Sequence, residues 1–86
     1  MRTEIEKSII NIFSEILEIP ADTVSSEQTF EELGIDSIFF IRLVVMCETQ
    51  LNIQFEDKML LLSNFPDVRT FVDYVCQRVE TSHDTA

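Results

Sequence analysis

The residues most able to do chemistry lie in one stretch, Gly34-Ile35-Asp36-Ser37-Ile38, which runs directly into the apolar segment Phe39-Phe40-Ile41-Arg42-Leu43-Val44-Val45-Met46-Cys47. Gly34 is the only glycine in the chain, so it stands where the backbone most needs a conformation that other residues resist. Asp36 suits a helix N-cap, because its carboxylate accepts bonds from the first unpaired amides of the helix that follows. Ser37 then opens that helix, beside the positive end of its dipole. A phosphate esterified to the Ser37 hydroxyl is favoured there, since free N–H groups and the macrodipole both attract negative charge. Hydrolytic serine chemistry is not supported. A nucleophilic serine needs a base and an orienting acid, commonly within Gly-x-Ser-x-Gly, whereas Ser37 follows Asp36 and the one histidine, His83, lies in the C-terminal tail. One histidine and two scattered cysteines make no zinc set, and no acidic loop has the calcium-binding pattern with its central glycine. Glu27, Glu31, Glu32 and Asp36 read as caps and a solvated face rather than an acid/base pair. Neither a catalytic residue nor a metal ligand is expected.

Three elements must position this stretch. Ile5, Ile9, Ile12, Phe13 and Ile16 recur at helical spacing between polar residues, which predicts an amphipathic helix over 3–18 that Pro20 stops. From Pro20 to Gly34 the chain is mostly polar. Val24, Phe30 and Leu33 are its apolar anchors, and Thr29 to Glu32 is able to form one helical turn. Pinned by those side chains, the segment holds Gly34 and Asp36 in register. The second helix is predicted from about Ser37 to Leu51. Phe40, Leu43, Val44, Cys47 and Leu51 form its inward stripe, while Ile38, Ile41, Arg42 and Val45 lie opposite. That outer face is unusually apolar and is read as an interaction patch beside Ser37. Phe39 lies near the boundary, where packing against a neighbouring loop competes with exposure.

Asn52 breaks the pattern, and Ile53-Gln54-Phe55 alternates like an extended link. Glu56 and Asp57 are suited to cap a short helix over Lys58 to Leu62. Asp67 caps the last helix, whose stripe is Val68, Phe71, Val72, Val75 and Val79. Residues 81–86 contain no large apolar side chain and are expected to be a flexible tail, leaving 1–80 as one domain. The expected architecture is all-α: a four-helix bundle of three longer helices, a short third helix, and a long loop between the first two.

Composition agrees with this. Hydrophobic residues make up 45% of 86 residues, enough for a small helical core. Sixteen acids against six bases give a net charge of −10. Nucleic acid and anionic membranes are therefore poor partners, and proteins with basic patches are better ones. No apolar run is long enough to cross a bilayer, and the charged start Met1-Arg2-Thr3-Glu4 does not read as a signal peptide. Cys47 and Cys76 read as buried thiols in a reducing compartment, so a cytoplasmic location is expected, with a monomer as the default.

Over residues 3–80, this order of elements, the acidic composition and Phe30-Glu31-Glu32-Leu33-Gly34-Ile35-Asp36-Ser37-Ile38 resemble the acyl carrier and peptidyl carrier protein superfamily. Its Leu-Gly-x-Asp-Ser-[Leu/Ile] signature opens the second helix. The resemblance implies that a phosphopantetheinyl transferase attaches the 4′-phosphopantetheine of coenzyme A to Ser37, with Asp36 helping to seat that enzyme. The arm's thiol would carry an acyl or aminoacyl group as a thioester, and the domain itself would catalyse nothing. The implied partners are an acyl- or aminoacyl-loading enzyme and an acyltransferase, ketosynthase or condensation-type acceptor. They would contact Ile38, Phe39, Ile41, Arg42 and Val45, with Met59 and Leu62 as a rim.

Two departures narrow the resemblance. Fatty-acid carriers have acidic residues after the serine and in the third-helix region, where this chain has Phe39, Phe40, Arg42 and Lys58-Met59-Leu60-Leu61-Leu62. Peptidyl carriers have Gly-Gly-x-Ser at the attachment site, where this chain has Gly34-Ile35-Asp36-Ser37. The pattern is most similar to discrete carriers of polyketide or hybrid polyketide/nonribosomal peptide pathways. The alternatives are an aminoacyl or peptidyl carrier, and a carrier-like helical adaptor without a prosthetic group.

Overall fold

A computed structural model describes residues 2–84, with side chains from 3 to 80. Helix α1 spans Arg2–Leu17, α2 spans Ser37–Leu51 and α3 spans Val68–Asp84, with short 3-10 turns at Ala21–Thr23, Asp57–Met59 and Leu62–Asn64. Among the described residues there is no β-strand, only an isolated antiparallel bridge between Thr29 and Asp67. The all-α class expected from periodicity is the one observed.

Each helix buries all or most of the stripe its spacing marks out, with Ile5 and Ile16 of α1 and Leu51 of α2 only partly buried. Ile9, Ile12 and Phe13 of α1, Phe40, Leu43, Val44 and Cys47 of α2, and Val68, Phe71, Val72, Val75 and Val79 of α3 are all buried. Helix α1 packs against both α2 and α3. Tyr74 and Cys76 are buried as well, so the inward face of α3 is wider than the stripe alone. The helix also continues through Asp84, past the end expected at Glu80. The expectation of a flexible tail at residues 85–86 lies outside the described residues.

The short third helix is where the structure departs most from expectation. Two 3-10 turns stand in its place, separated by Leu60 and by Leu61, whose backbone is extended at φ −123, ψ 127. A continuous helix over 58–62 would point Leu60 and Leu61 around its sides at about 100° per residue, away from the face of Met59 and Leu62. Breaking it lets Met59, Leu60 and Leu62 all pack against the core and leaves only Leu61 strongly exposed. So short a helix would also gain too few hydrogen bonds to offset its nucleation. The segment is closed by the Asn64 side-chain amide, which donates to the Lys58 carbonyl at 2.9 Å.

The extended link before it is anchored as its alternation suggests, with Ile53 and Phe55 buried and Gln54 exposed. The Phe55 amide donates to Glu48 Oε2 at 2.9 Å, and the Glu56 amide donates to the Tyr74 hydroxyl at 3.0 Å. Arg78 Nε reaches the Gln54 carbonyl at 2.8 Å. These bonds tie the link to α2 on one side and α3 on the other.

Candidate functional site at the start of helix α2

The site is built from a single helical turn capped at both ends. Thr29 begins it: the Glu32 amide donates to Thr29 Oγ1 at 3.0 Å, and the Thr29 amide donates to Glu32 Oε1 at 2.8 Å. This reciprocal pair is a capping box. At the other end the Gly34 amide donates to the Glu31 carbonyl and the Ile35 amide donates to the Phe30 carbonyl, each at 3.0 Å. Those two bonds define a Schellman closure, which needs a left-handed residue at the position of Gly34. Gly34 has φ +73. Phe30 and Ile35, the apolar pair that accompanies such a closure, are both buried.

Asp36 then turns the chain into α2 with extended backbone at φ −101, ψ −173. Its Oδ1 accepts the Phe39 amide at 3.0 Å, and its carbonyl accepts the Phe40 amide at 2.9 Å. The amides of Ser37 and Ile38 remain as donors at the positive end of the helix. Ser37 is exposed. Three backbone bonds between distant segments hold this assembly against α3 and the residues just before it: Phe30 N–H to the Pro66 carbonyl at 3.3 Å, and the amides of Val68 and Arg69 to the carbonyls of Gln28 and Ser26 at 3.0 Å. The loop is thus pinned, by backbone bonds as much as by its apolar anchors Val24 and Phe30.

The other sequence-derived residues fall into two groups. Ile38, Ile41 and Val45 keep 69%, 48% and 53% of their surface in water, and Arg42 beside them is exposed. Phe39 is half-buried against the core, as are Met59 and Leu62, which lie on separate 3-10 turns. The exposed side chain of that segment is Leu61, at 59%. Sequence reasoning missed Ile35, which looks like a neutral spacer between Gly34 and Asp36, and read Thr29 to Glu32 as a possible helical turn without recognising the pair as its capping box. It also missed an open cleft of about 490 Å³ whose lining includes Phe30, Ile35, Leu62 and Phe65.

Among the described residues no cluster of His, Cys, Asp or Glu is placed to hold a metal ion. Cys47 and Cys76 form no disulfide. Burial pushes the Cys47 thiol up to about 12, helped by the charge of neighbouring Glu48, so it stays protonated and unreactive at neutral pH. No helix is long and apolar enough to cross a membrane among the residues described.

An exposed hydroxyl at a capped helix start fits the attachment of a phosphodiester, since the first amides of a helix and its dipole favour negative charge there. Residues 7–75 match the sequence profile of the phosphopantetheine attachment site family. The chain belongs to that family. Its fold agrees: the crystal structure of an acyl carrier protein from Thermotoga maritima superposes with a TM-score of 0.76 at 32% identity, covering 93% of this chain and 92% of that one. Among curated proteins, methylphloroacetophenone synthase of Cladonia uncialis is 30% identical over 74 residues, and polyketide synthase PksL of Bacillus subtilis is 28% identical over 74. Those stretches cover 86% of this chain but only 3% and 2% of the two synthases. The protein is a carrier domain of the all-α type that bears phosphopantetheine.

Proposed function

We propose that Ser37 is the attachment residue and that the domain carries an acyl building block or intermediate in polyketide or hybrid polyketide/nonribosomal peptide assembly. The observation that carries this reading is the exposure of Ser37 at the first position of a helix whose cap and preceding turn are fixed by seven hydrogen bonds. The similarity to polyketide synthase PksL of Bacillus subtilis supports the polyketide context.

When bound, phosphopantetheine supplies a thiol on a long flexible arm, which holds cargo as a thioester. The protein's part is to present and orient. The Schellman closure at Gly34 and the Asp36 cap fix the backbone that carries Ser37, so a transferase meets the serine at one defined place on the surface. Asp36 offers that enzyme a carboxylate next to the serine. The amides of Ser37 and Ile38 stabilise negative charge on the attached phosphate. Tethering then makes delivery intramolecular, at an effective concentration in the millimolar range for a short flexible linker. The domain catalyses no step. Loading and acceptor enzymes meet the outward face of α2, at Ile38, Ile41, Arg42 and Val45, with Phe39 half-buried at its edge.

Intact mass spectrometry tests this. Incubation with coenzyme A, magnesium and a broad-specificity phosphopantetheinyl transferase is expected to add one phosphopantetheine to the wild type and none to Ser37→Ala, with the helical circular dichroism of both alike. Addition to Ser37→Ala, or none to folded, unmodified wild type, would overturn the assignment. Loading of the modified protein by an acyltransferase rather than by an amino-acid-adenylating enzyme is the expected second result.

A further inference from the structure

Arg42 is the one charged member of an otherwise apolar, exposed stripe. Ile38, Ile41, Arg42 and Val45 follow one another at spacings of three, one and three on α2, and all four are exposed, so they share a single helix face. The positions three and four residues from Arg42, where a helix would place a partner carboxylate, hold Ile38, Phe39, Val45 and Met46. Among the described residues the ion pairs given by cations are Lys58 to Glu56, Arg69 to Glu27 and Arg78 to Glu56. In a chain with a net charge of −10, this guanidinium sits on a face without acids.

Three kinds of occupant compete for such a face. A second copy would bring the same face up in an isologous contact, setting Arg42 near Arg42 between two strongly acidic bodies. An anionic membrane is opposed by the same net charge. A protein surface remains, and the chemistry narrows it. Arginine is weakly hydrated and enters interfaces readily, but a guanidinium pressed against a purely apolar or basic surface loses its water without compensation.

We propose that this stripe docks an enzyme surface with an apolar floor, a carboxylate opposite Arg42, and a basic rim that complements the acidic remainder of the domain. The inference rests on the carrier reading above. Arg42 then acts as a selector: it favours partners with an acid at the centre of their docking patch and rejects those with a base there, because a like charge in that place repels.

The test uses isotope-labelled protein and two synthetic helical peptides. Both carry the same leucine stripe and basic ends, and they differ only in one central residue, Glu or Lys. The Glu peptide is expected to shift the amide resonances of residues 38–45 and to bind about five-fold more tightly than the Lys peptide. Arg42→Glu should reverse that order and Arg42→Ala should erase it, with circular dichroism unchanged in both. Equal affinities, shifts centred elsewhere, or concentration-dependent dimerisation through the same amides would overturn the inference. Mass addition at Ser37 is read separately: a normal addition with no peptide preference defeats the docking inference alone, whereas a missing addition defeats the carrier reading beneath it.

Discussion

Gly34 and Asp36 stand two residues apart and solve different problems. Gly34 supplies a left-handed conformation at φ +73, and a Cβ built there would meet nothing within 4 Å. Its requirement is therefore one of backbone torsion and not of space. Gly34→Ala is expected to cost about 1 kcal/mol, lowering the melting temperature of a domain this size by roughly 4–8 °C, and Gly34→Asn should cost less, since asparagine tolerates that region better. Urea unfolding of both variants checks this, and an alanine as stable as glycine would refute it. Asp36 supplies an acceptor where the helix has unpaired donors. Between them Ile35 points inward, and its burial makes the turn part of the core rather than an appendage of it.

At the scale of elements, caps decide where the helices begin. Asp67 Oδ1 accepts both the Thr70 amide at 2.8 Å and the Thr70 hydroxyl at 2.7 Å. The hydroxyl bond first, then the amide bond, hold the Asp67 carboxyl below its ordinary value, against an opposing effect of burial and with a lesser contribution from Arg69. A carboxyl whose folded value is depressed stabilises the fold fully above its unfolded pKa of about 3.9, and that contribution is lost as pH falls through the folded value. Asp67→Ala should thus be about 1 kcal/mol less stable than wild type at pH 7, with the gap closing in acid. Thr70→Val should move the Asp67 titration, followed by NMR, back up toward the ordinary carboxylate range. An unmoved titration would mean that the hydroxyl bond does not control it. The end of α1 is less well served: Glu18 takes the left-handed position at φ 56 that glycine would occupy more easily.

Across the whole molecule, an aromatic cluster joins the site to the scaffold. The Phe71 ring on α3 lies 5.9 Å from Phe13, 5.8 Å from Phe30, 6.3 Å from Phe40, 5.6 Å from Phe55 and 5.3 Å from Phe65, centroid to centroid. These partners come from α1, the capped turn, α2, the extended link and the segment before α3, so one ring touches every part that positions Ser37. Phe71→Ala is expected to cost about 3–5 kcal/mol, a large share of a small domain's stability, and should broaden the amide resonances of Phe30 and Ile35 before those of exposed α2 residues. Well-dispersed spectra with a loss below about 1 kcal/mol would show that the cluster repacks around the gap.

The sequence by itself determined the helix stripes, the cap at Asp36, the special backbone at Gly34 and the position of Ser37, because each depends on local spacing or on the chemistry of one residue type. The tertiary structure alone decided three further things. It split the expected short helix at Leu60 and Leu61, since only a broken path lets Met59, Leu60 and Leu62 reach one core. It turned Ile35 inward, because the Phe30 it meets belongs to the same capped turn and that turn is held against α3 by the backbone of Pro66 and Val68. It also left uncovered the outward face at Ile38, Ile41 and Val45: spacing places these residues opposite the inward stripe, and the rest of the chain decides that the face stays in water.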